Sequence, residues 1–345
     1  MLSPCPLRAD PYAHIMPRFL SALFLLTLGL SAADVFEQQR QLGRGLNMGN
    51  MLEAPTEGAW GLRVADEDFP RIKAAGFDSV RIPTKWSAHA AKEAPYTIDA
   101  EFMDRVEHIV KTALAAKLTV LLNLHHYDEM DKEPAQHRER FTAFWKQIST
   151  RFAACPDSLQ FELFNEPNGN HSAAEWNQSL LAGLREVRRV NPERAVHIGS
   201  VRWNQISTLK DLKLPADDRH IVVHIHYYSP YHFTHANAFW VKGSDTWKDS
   251  NWTGTESELA LIRKDFDQAA AWGKQEHRPL FLGEFGTCGG VPDMAARAKW
   301  THTVVSEAET RGIKWAYWEY QANFGVWDPK KKEWRQELLN ALVGK

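Results

Sequence analysis

A single (β/α)8 barrel is the fold this sequence predicts, and three observations predict it. Eight short apolar runs alternate with amphipathic stretches from one end of the chain to the other. The chain has 345 residues, close to the usual length of such a barrel. Polar and ionisable residues gather where the apolar runs end, and in a barrel those ends share the face that carries the site.

The eight runs are residues 43–49, 78–83, 118–125, 159–166, 194–200, 221–228, 279–285 and 313–319. Between them, residues 64–75, 102–116, 136–153, 173–190, 255–272, 295–311 and 332–343 repeat apolar residues at spacings of three and four, the signature of helices with one buried face. Only the link between the fifth and sixth runs is weak, with a short helix expected near 204–212. Strands that alternate with helices pair in parallel, and eight such units close on themselves. No Gly/Ser linker, long charge run or repeat of 20–50 residues divides the pattern, and no glycine-rich phosphate loop follows the first strand, which argues against an open dinucleotide-binding sheet.

The N-terminus reads differently. Arg18 precedes an apolar run over residues 19–30, and Ser31-Ala32-Ala33 supplies the small residues that a signal peptidase cuts after. Residues 1–33 are therefore expected to be a secretory leader, with translation starting at Met16, and residues 34–345 a catalytic barrel. The apolar run is shorter than the roughly 20 residues of a membrane span, so a secreted protein, extracellular or periplasmic, with no stable membrane association is expected. Composition is ordinary, with 44% hydrophobic and 24% charged residues, and the net charge of −2 gives no electrostatic footprint for nucleic acid. The 14 tryptophans are unusual; most belong in a core, but the flat apolar faces of sugars suit the rest. Cys155 precedes the fourth strand and Cys288 follows the seventh, so they should lie at opposite ends of the barrel as free thiols.

The strand ends carry Asn47 and Asn50, Arg81, His125 and His126, Asn165 and Glu166, His226 and Tyr228, Glu284, and Trp318. Two glutamates at the ends of apolar strands cost desolvation unless they have chemistry to do. Glycosidic bond cleavage needs two carboxyl groups, and three units around a barrel can bring Glu166 and Glu284 together. The histidines show neither HExxH nor CxxC spacing, and imidazoles in a cleft bind hydroxyls well, so no metal and no other cofactor is expected.

The segments GRGLNMGNMLEAP, GFDSVRIPTKWSAHA, LLNLHHYDE, FELFNEPNG, HIHYYSPYHFTH, LFLGEFG and WAYWEYQANFGVWD resemble glycoside hydrolase family 5, the cellulase family of the large retaining clan. The likeness runs from about residue 42 to 342 and is nearest to the bacterial endo-β-glucanase branch, which includes enzymes that also accept mannan. It implies a monomeric, endo-acting, retaining β-1,4-glucan hydrolase, with a mannanase or broad β-glucan, xyloglucan or glucomannan hydrolase as the alternative. A non-catalytic polysaccharide-binding barrel would have no need of both glutamates. The resemblance implies Glu166 as acid/base and Glu284 as nucleophile. It implies that Asn165 meets the sugar 2-hydroxyl, that Arg81 and Tyr228 bond Glu284 and hold its pKa down, and that His226 sits beside Glu166. His125, His126 and Trp318 would hold the sugar before the scissile bond, Asn50 and Glu53 would bind further along the non-reducing side, and His235 and Trp240 would line the reducing side. The chain departs from the family pattern at Ala236-Asn237-Ala238-Phe239 and at Thr287-Cys288-Gly289-Gly290, both on loops facing substrate.

Overall fold

The computed structural model describes residues 34–247, 250–290 and 293–344. The leader read over residues 1–33 lies outside them. Among the described residues no helix is long and apolar enough to cross a membrane.

Eight parallel strands close a barrel in sequence order: β1 (Arg44–Asn47), β2 (Ser79–Ile82), β3 (Thr119–Asn123), β4 (Leu159–Glu162), β5 (Val196–Gly199), β6 (Ile221–His226), β7 (Leu280–Glu284) and β8 (Lys314–Tyr317). Each falls inside an apolar run read from the sequence, and each is shorter than its run. The fourth shows why. The run stays buried through Asn165, but regular pairing stops at Glu162. Beyond it the Leu163 amide still donates to the His197 carbonyl and the Asn165 amide to the Leu124 carbonyl. The chain therefore leaves the ladder without reaching solvent, and Asn165 and Glu166 stand on an irregular rim.

The helices follow the expected spacing. Ala173–Val190 begins at Ser172, whose hydroxyl accepts from the Glu175 amide, and it buries Trp176, Leu180, Leu184 and Val187. Glu256–Glu276 starts with a reciprocal Thr255/Glu258 cap. Two helices start later than their patterns, at Asp68 and Gln336. A short antiparallel pair, Trp327–Asp328 with Glu333–Trp334, takes up the residues just before the second. The weak link after β5 holds a short turn, Val201–Asn204, and a 3-10 stretch, Ile206–Asp211. The helix Val35–Gln41, which had no periodic signal, closes the N-terminal end of the barrel. Val35 and Leu42 pack with Leu121, Val222, Phe281 and Ala316, and the Gln39 amide donates to the Leu280 and Gly312 carbonyls.

Inward positions change character along the barrel. Leu121, Val222 and Phe281 are apolar, while Arg81, Asn123, Glu162, His197 and His224 are buried and polar. A register shift between β6 and β7 matters most. Ile225 pairs with Leu282, but His226 pairs with Glu284, so one residue of β7 is skipped. Strict alternation would turn Glu284 away from the interior; the irregularity turns it in and leaves Phe285 in the outer core. The glycine before it is also required. A Cβ on Gly283 would overlap the His224 imidazole. Gly283→Ala is expected to lose about 1–3 kcal/mol, as overpacking of a tight core does, read as a lowered midpoint in thermal or urea unfolding.

Cys155 lies before β4 and Cys288 beyond β7, both as free thiols.

Candidate active site

The site is built on Arg81, which is buried at the end of β2. Nε and Nη2 donate to the two oxygens of Glu162, at 2.6 and 2.7 Å. Nη1 reaches Glu284 Oε1 at 2.6 Å and Asn47 Oδ1 at 2.8 Å, and Nη2 also meets Asn165 Oδ1 at 2.6 Å. Four strands are thus tied to one guanidinium, whose planar fork suits two carboxylates at once. Glu162 was not singled out from the sequence. The available signal was a charged residue inside an apolar strand, four residues before Glu166.

Glu284 accepts from Arg81 and, at 3.0 Å, from the Tyr228 hydroxyl. Glu166 has one side-chain partner, His226, whose Nδ1 lies 2.6 Å from Oε1. The same nitrogen is 3.6 Å from Glu284 Oε2. One carboxylate oxygen of Glu166, one of Glu284 and a ring nitrogen of His226 all lie within 4.8 Å of one another. Burial pushes the Glu166 carboxyl up to about 7, with Arg81 opposing and Glu162 reinforcing. Its side chain keeps 23% exposure on the cleft side.

Glu284 corrects an expectation. Arg81 and Tyr228 do bond it, yet burial outweighs His226 and Arg81, and its carboxyl lies above the usual range rather than below. The two glutamates remain distinguished by their partners. Glu284 receives a guanidinium and a phenol that favour its ionised form, whereas Glu166 has a neutral imidazole, since burial pushes His226 down to about 4.

These groups open into a cleft of about 1770 Å³. It is lined by Asn50, Glu53, His125, His126, Asn165, Glu166, His226, Tyr228, His235, Trp240, Glu284 and Trp318, among others. Apart from Arg81 and Asn47, which are buried beneath the floor, the strand-end residues singled out from the sequence face this one cavity. The His125 ring stacks on Trp318, with centroids 5.6 Å apart. Burial holds His125, His126 and His235 neutral at ordinary pH, so they can both donate to and accept from hydroxyls. Glu53 is less free than expected. Its oxygens accept from the backbone amides of Asn50 and Met51, and burial raises its carboxyl to about 7.

Three exposed aromatic residues on the cleft were not foreseen, Trp60, Trp203 and Tyr231, and Phe239, on a loop expected to face substrate, joins them at 84% exposure. Loop aromatics follow no period, so nothing in a sequence separates them from core. Trp203 belongs to a left-handed turn, Arg202–Asn204, with φ of 58°, 58° and 55°. The Asn204 amide donates to the Asn165 carbonyl and its side chain fills the space left by Gly199. The two departures from the family pattern meet each other here. Ala238 and Cys288 pack in one small cluster with Phe324, which in turn lies against Trp240.

A family model described as cellulase, glycosyl hydrolase family 5, matches residues 43–324. Endoglucanase H of Acetivibrio thermocellus is 34% identical over 317 residues, covering 90% of this chain and 34% of that protein. Endoglucanase B of Clostridium cellulovorans is 29% identical over 341 residues, covering 90% of this chain and 76% of that one. This chain therefore spans about a third of the first relative and three quarters of the second. Among solved structures, endoglucanase Cel5A from the hyperthermophilic Thermotoga maritima aligns with a TM-score of 0.88 at 43% identity, over 90% of this chain and 100% of that one. Structures of that protein are described with cellobiose and with mannotriose. On the family match, which takes in all eight strands and both glutamates, this chain belongs to the glycosyl hydrolase family 5 cellulases.

Proposed function

We propose that the protein is an endo-acting β-1,4-glucan hydrolase that works with retention, Glu284 attacking the anomeric carbon and Glu166 serving first as acid and then as base. The observation that carries this reading is the approach of the two carboxylates to within 4.8 Å across His226. Inverting enzymes keep their carboxyls about 6.5–9.5 Å apart to admit a water, while retaining ones need about 5–5.5 Å. Arg81 and Tyr228 hold the attacking carboxylate in place, and Asn165 stands between Arg81 and the cleft, where a sugar 2-hydroxyl would meet it. The open cleft of about 1770 Å³ with aromatic residues in its lining supports binding along a polymer rather than at its tip. The apolar run at residues 19–30 and the small residues after it support export.

A reducing-sugar assay on carboxymethyl cellulose, barley β-glucan, glucomannan and xyloglucan tests the reading. The expected result is a rapid fall in viscosity on the β-1,4-glucans, with NMR showing β-configured products first. Activity confined to mannan would replace the substrate, and α-configured first products would overturn the mechanism.

A further inference from the structure

We propose that His224 fixes the ring tautomer of His226 and so keeps the proton on Glu166 in the resting enzyme. This rests on Glu166 being the acid/base. His224 stands two residues before His226 on β6 and is fully buried in the barrel interior. It lies where Gly283 leaves room on β7.

The two imidazoles face each other through Nε2, 3.0 Å apart, so one must donate and the other accept. Both rings are held neutral by burial, and each has a single N–H to place. The other nitrogen of His224 gives the direction we infer, against an opposing contact of His226 Nδ1 with Glu284 Oε2, also 3.6 Å away, whose oxygen already takes a hydrogen from the Tyr228 hydroxyl. His224 Nδ1 lies 3.6 Å from Glu162 Oε2, on a carboxylate gripped by both arms of Arg81. A lone pair would be repelled there and an N–H is attracted. His224 therefore carries its hydrogen on Nδ1 and accepts at Nε2 from the Nε2–H of His226. That leaves His226 a bare Nδ1 toward Glu166 Oε1, 2.6 Å away. Two lone pairs do not meet at that distance, so the hydrogen between them belongs to Glu166. The acid donates to His226 until a glycosidic oxygen takes the proton in its place. In the second half-reaction Glu166 recovers a proton from the attacking water, and the histidines gain and lose none.

The surroundings are charged but paired. Arg81 from β2, His125 from β3, Glu162 from β4, His197 from β5, and Tyr228 and Glu284 from the rim all face this pair. His197 is engaged with Gln160, and Glu284 is held by Arg81 and Tyr228. The remaining neighbour of His226 Nε2 is the Asn204 amide nitrogen, 3.5 Å away, which can only donate. Without His224 that donor would favour the opposite tautomer. His226 would then carry Nδ1–H, stabilise ionised Glu166 and make it a stronger acid.

Three full-length proteins decide the matter: wild type, His224→Leu and His224→Gln. Imidazole 15N correlation spectra of the wild type should show His226 protonated at Nε2 and His224 at Nδ1. The basic limb of kcat/KM against pH should fall by about one unit in His224→Leu. It should stay in place in His224→Gln, whose amide oxygen can accept from His226. A spectrum with His226 protonated at Nδ1, or an unmoved or raised basic limb in folded His224→Leu, overturns the proposal. If the leucine variant does not fold, the wild-type spectrum still decides. A wrong acid/base assignment would declare itself separately, as full polymer hydrolysis by Glu166→Ala, which leaves the ring spectrum readable.

Discussion

Glu284→Ala should lose hydrolysis of polymer and of activated aryl glycosides alike, by about 10⁴-fold or more, because no covalent intermediate can form without the attacking carboxylate. Glu166→Ala should behave differently on the two substrates. On polymer, where the leaving oxygen needs a proton, the loss should be about 10²–10⁴-fold. On a dinitrophenyl glycoside, which leaves unaided, the first step should survive and the second should lack its base. Azide needs no base and should restore turnover, giving a β-glycosyl azide. If instead Glu284→Ala gave the β-azide and Glu166→Ala were dead on both substrates, the two roles would be reversed. The buried partners make the expectation asymmetric. Glu284 is held by Arg81 and Tyr228, whereas Glu166 has the short contact with His226, 2.6 Å against 3.6 Å from the same nitrogen to Glu284.

Arg81→Lys should damage both the fold and the chemistry. The guanidinium gives five hydrogen bonds to Glu162, Glu284, Asn47 and Asn165 in a region closed to water. An ammonium has three hydrogens and no fork. Breaking a buried pair in this way costs about 3–5 kcal/mol, visible as a lower unfolding midpoint. The kinetic sign follows from which form Arg81 favours. Glu284 must be ionised to attack, and its carboxyl already stands above the usual range because burial dominates. Weakening the cation raises it further, so the acidic limb of the pH profile should move to higher pH. The basic limb reports Glu166, near 7, and should move less. The bell should therefore narrow from its acid side, with the wild-type optimum at about pH 5–7. An unmoved acidic limb in a folded variant would show that Arg81 does not tune the nucleophile.

The barrel was legible because each unit repeats the same two periods, and eight repetitions outweigh the ambiguity of any one. The strand-end residues were legible for the same reason, since a polar residue closing an apolar run stands out. What escaped lies off those periods. Glu162, His224 and Asn123 sit inside strands at inward positions, where a polar side chain reads as an exception until its partner across the barrel is known. The inward turn of Glu284 depends on a one-residue shift against β6 that no local pattern announces. The helix Val35–Gln41 is too short to show a face. Arg81 was read through its bond to Glu284; its second carboxylate partner, Glu162, was not legible.

On the proposed function, the left-handed turn at Arg202–Asn204 bears on how a polymer would be captured. Three successive non-glycine residues in that region cost about 1–3 kcal/mol each, and the Asn204 clamp and the bare face of Gly199 hold them there. An indole on a relaxed loop would sample many orientations and lose that freedom each time a chain docked. Trp203 has its main-chain direction set when the protein folds, so less disorder remains to be removed at each encounter. The benefit recurs at every binding event, whereas the conformational penalty is met once per molecule. For an enzyme that must engage and release a long chain repeatedly, this division shifts the entropic burden from turnover to folding.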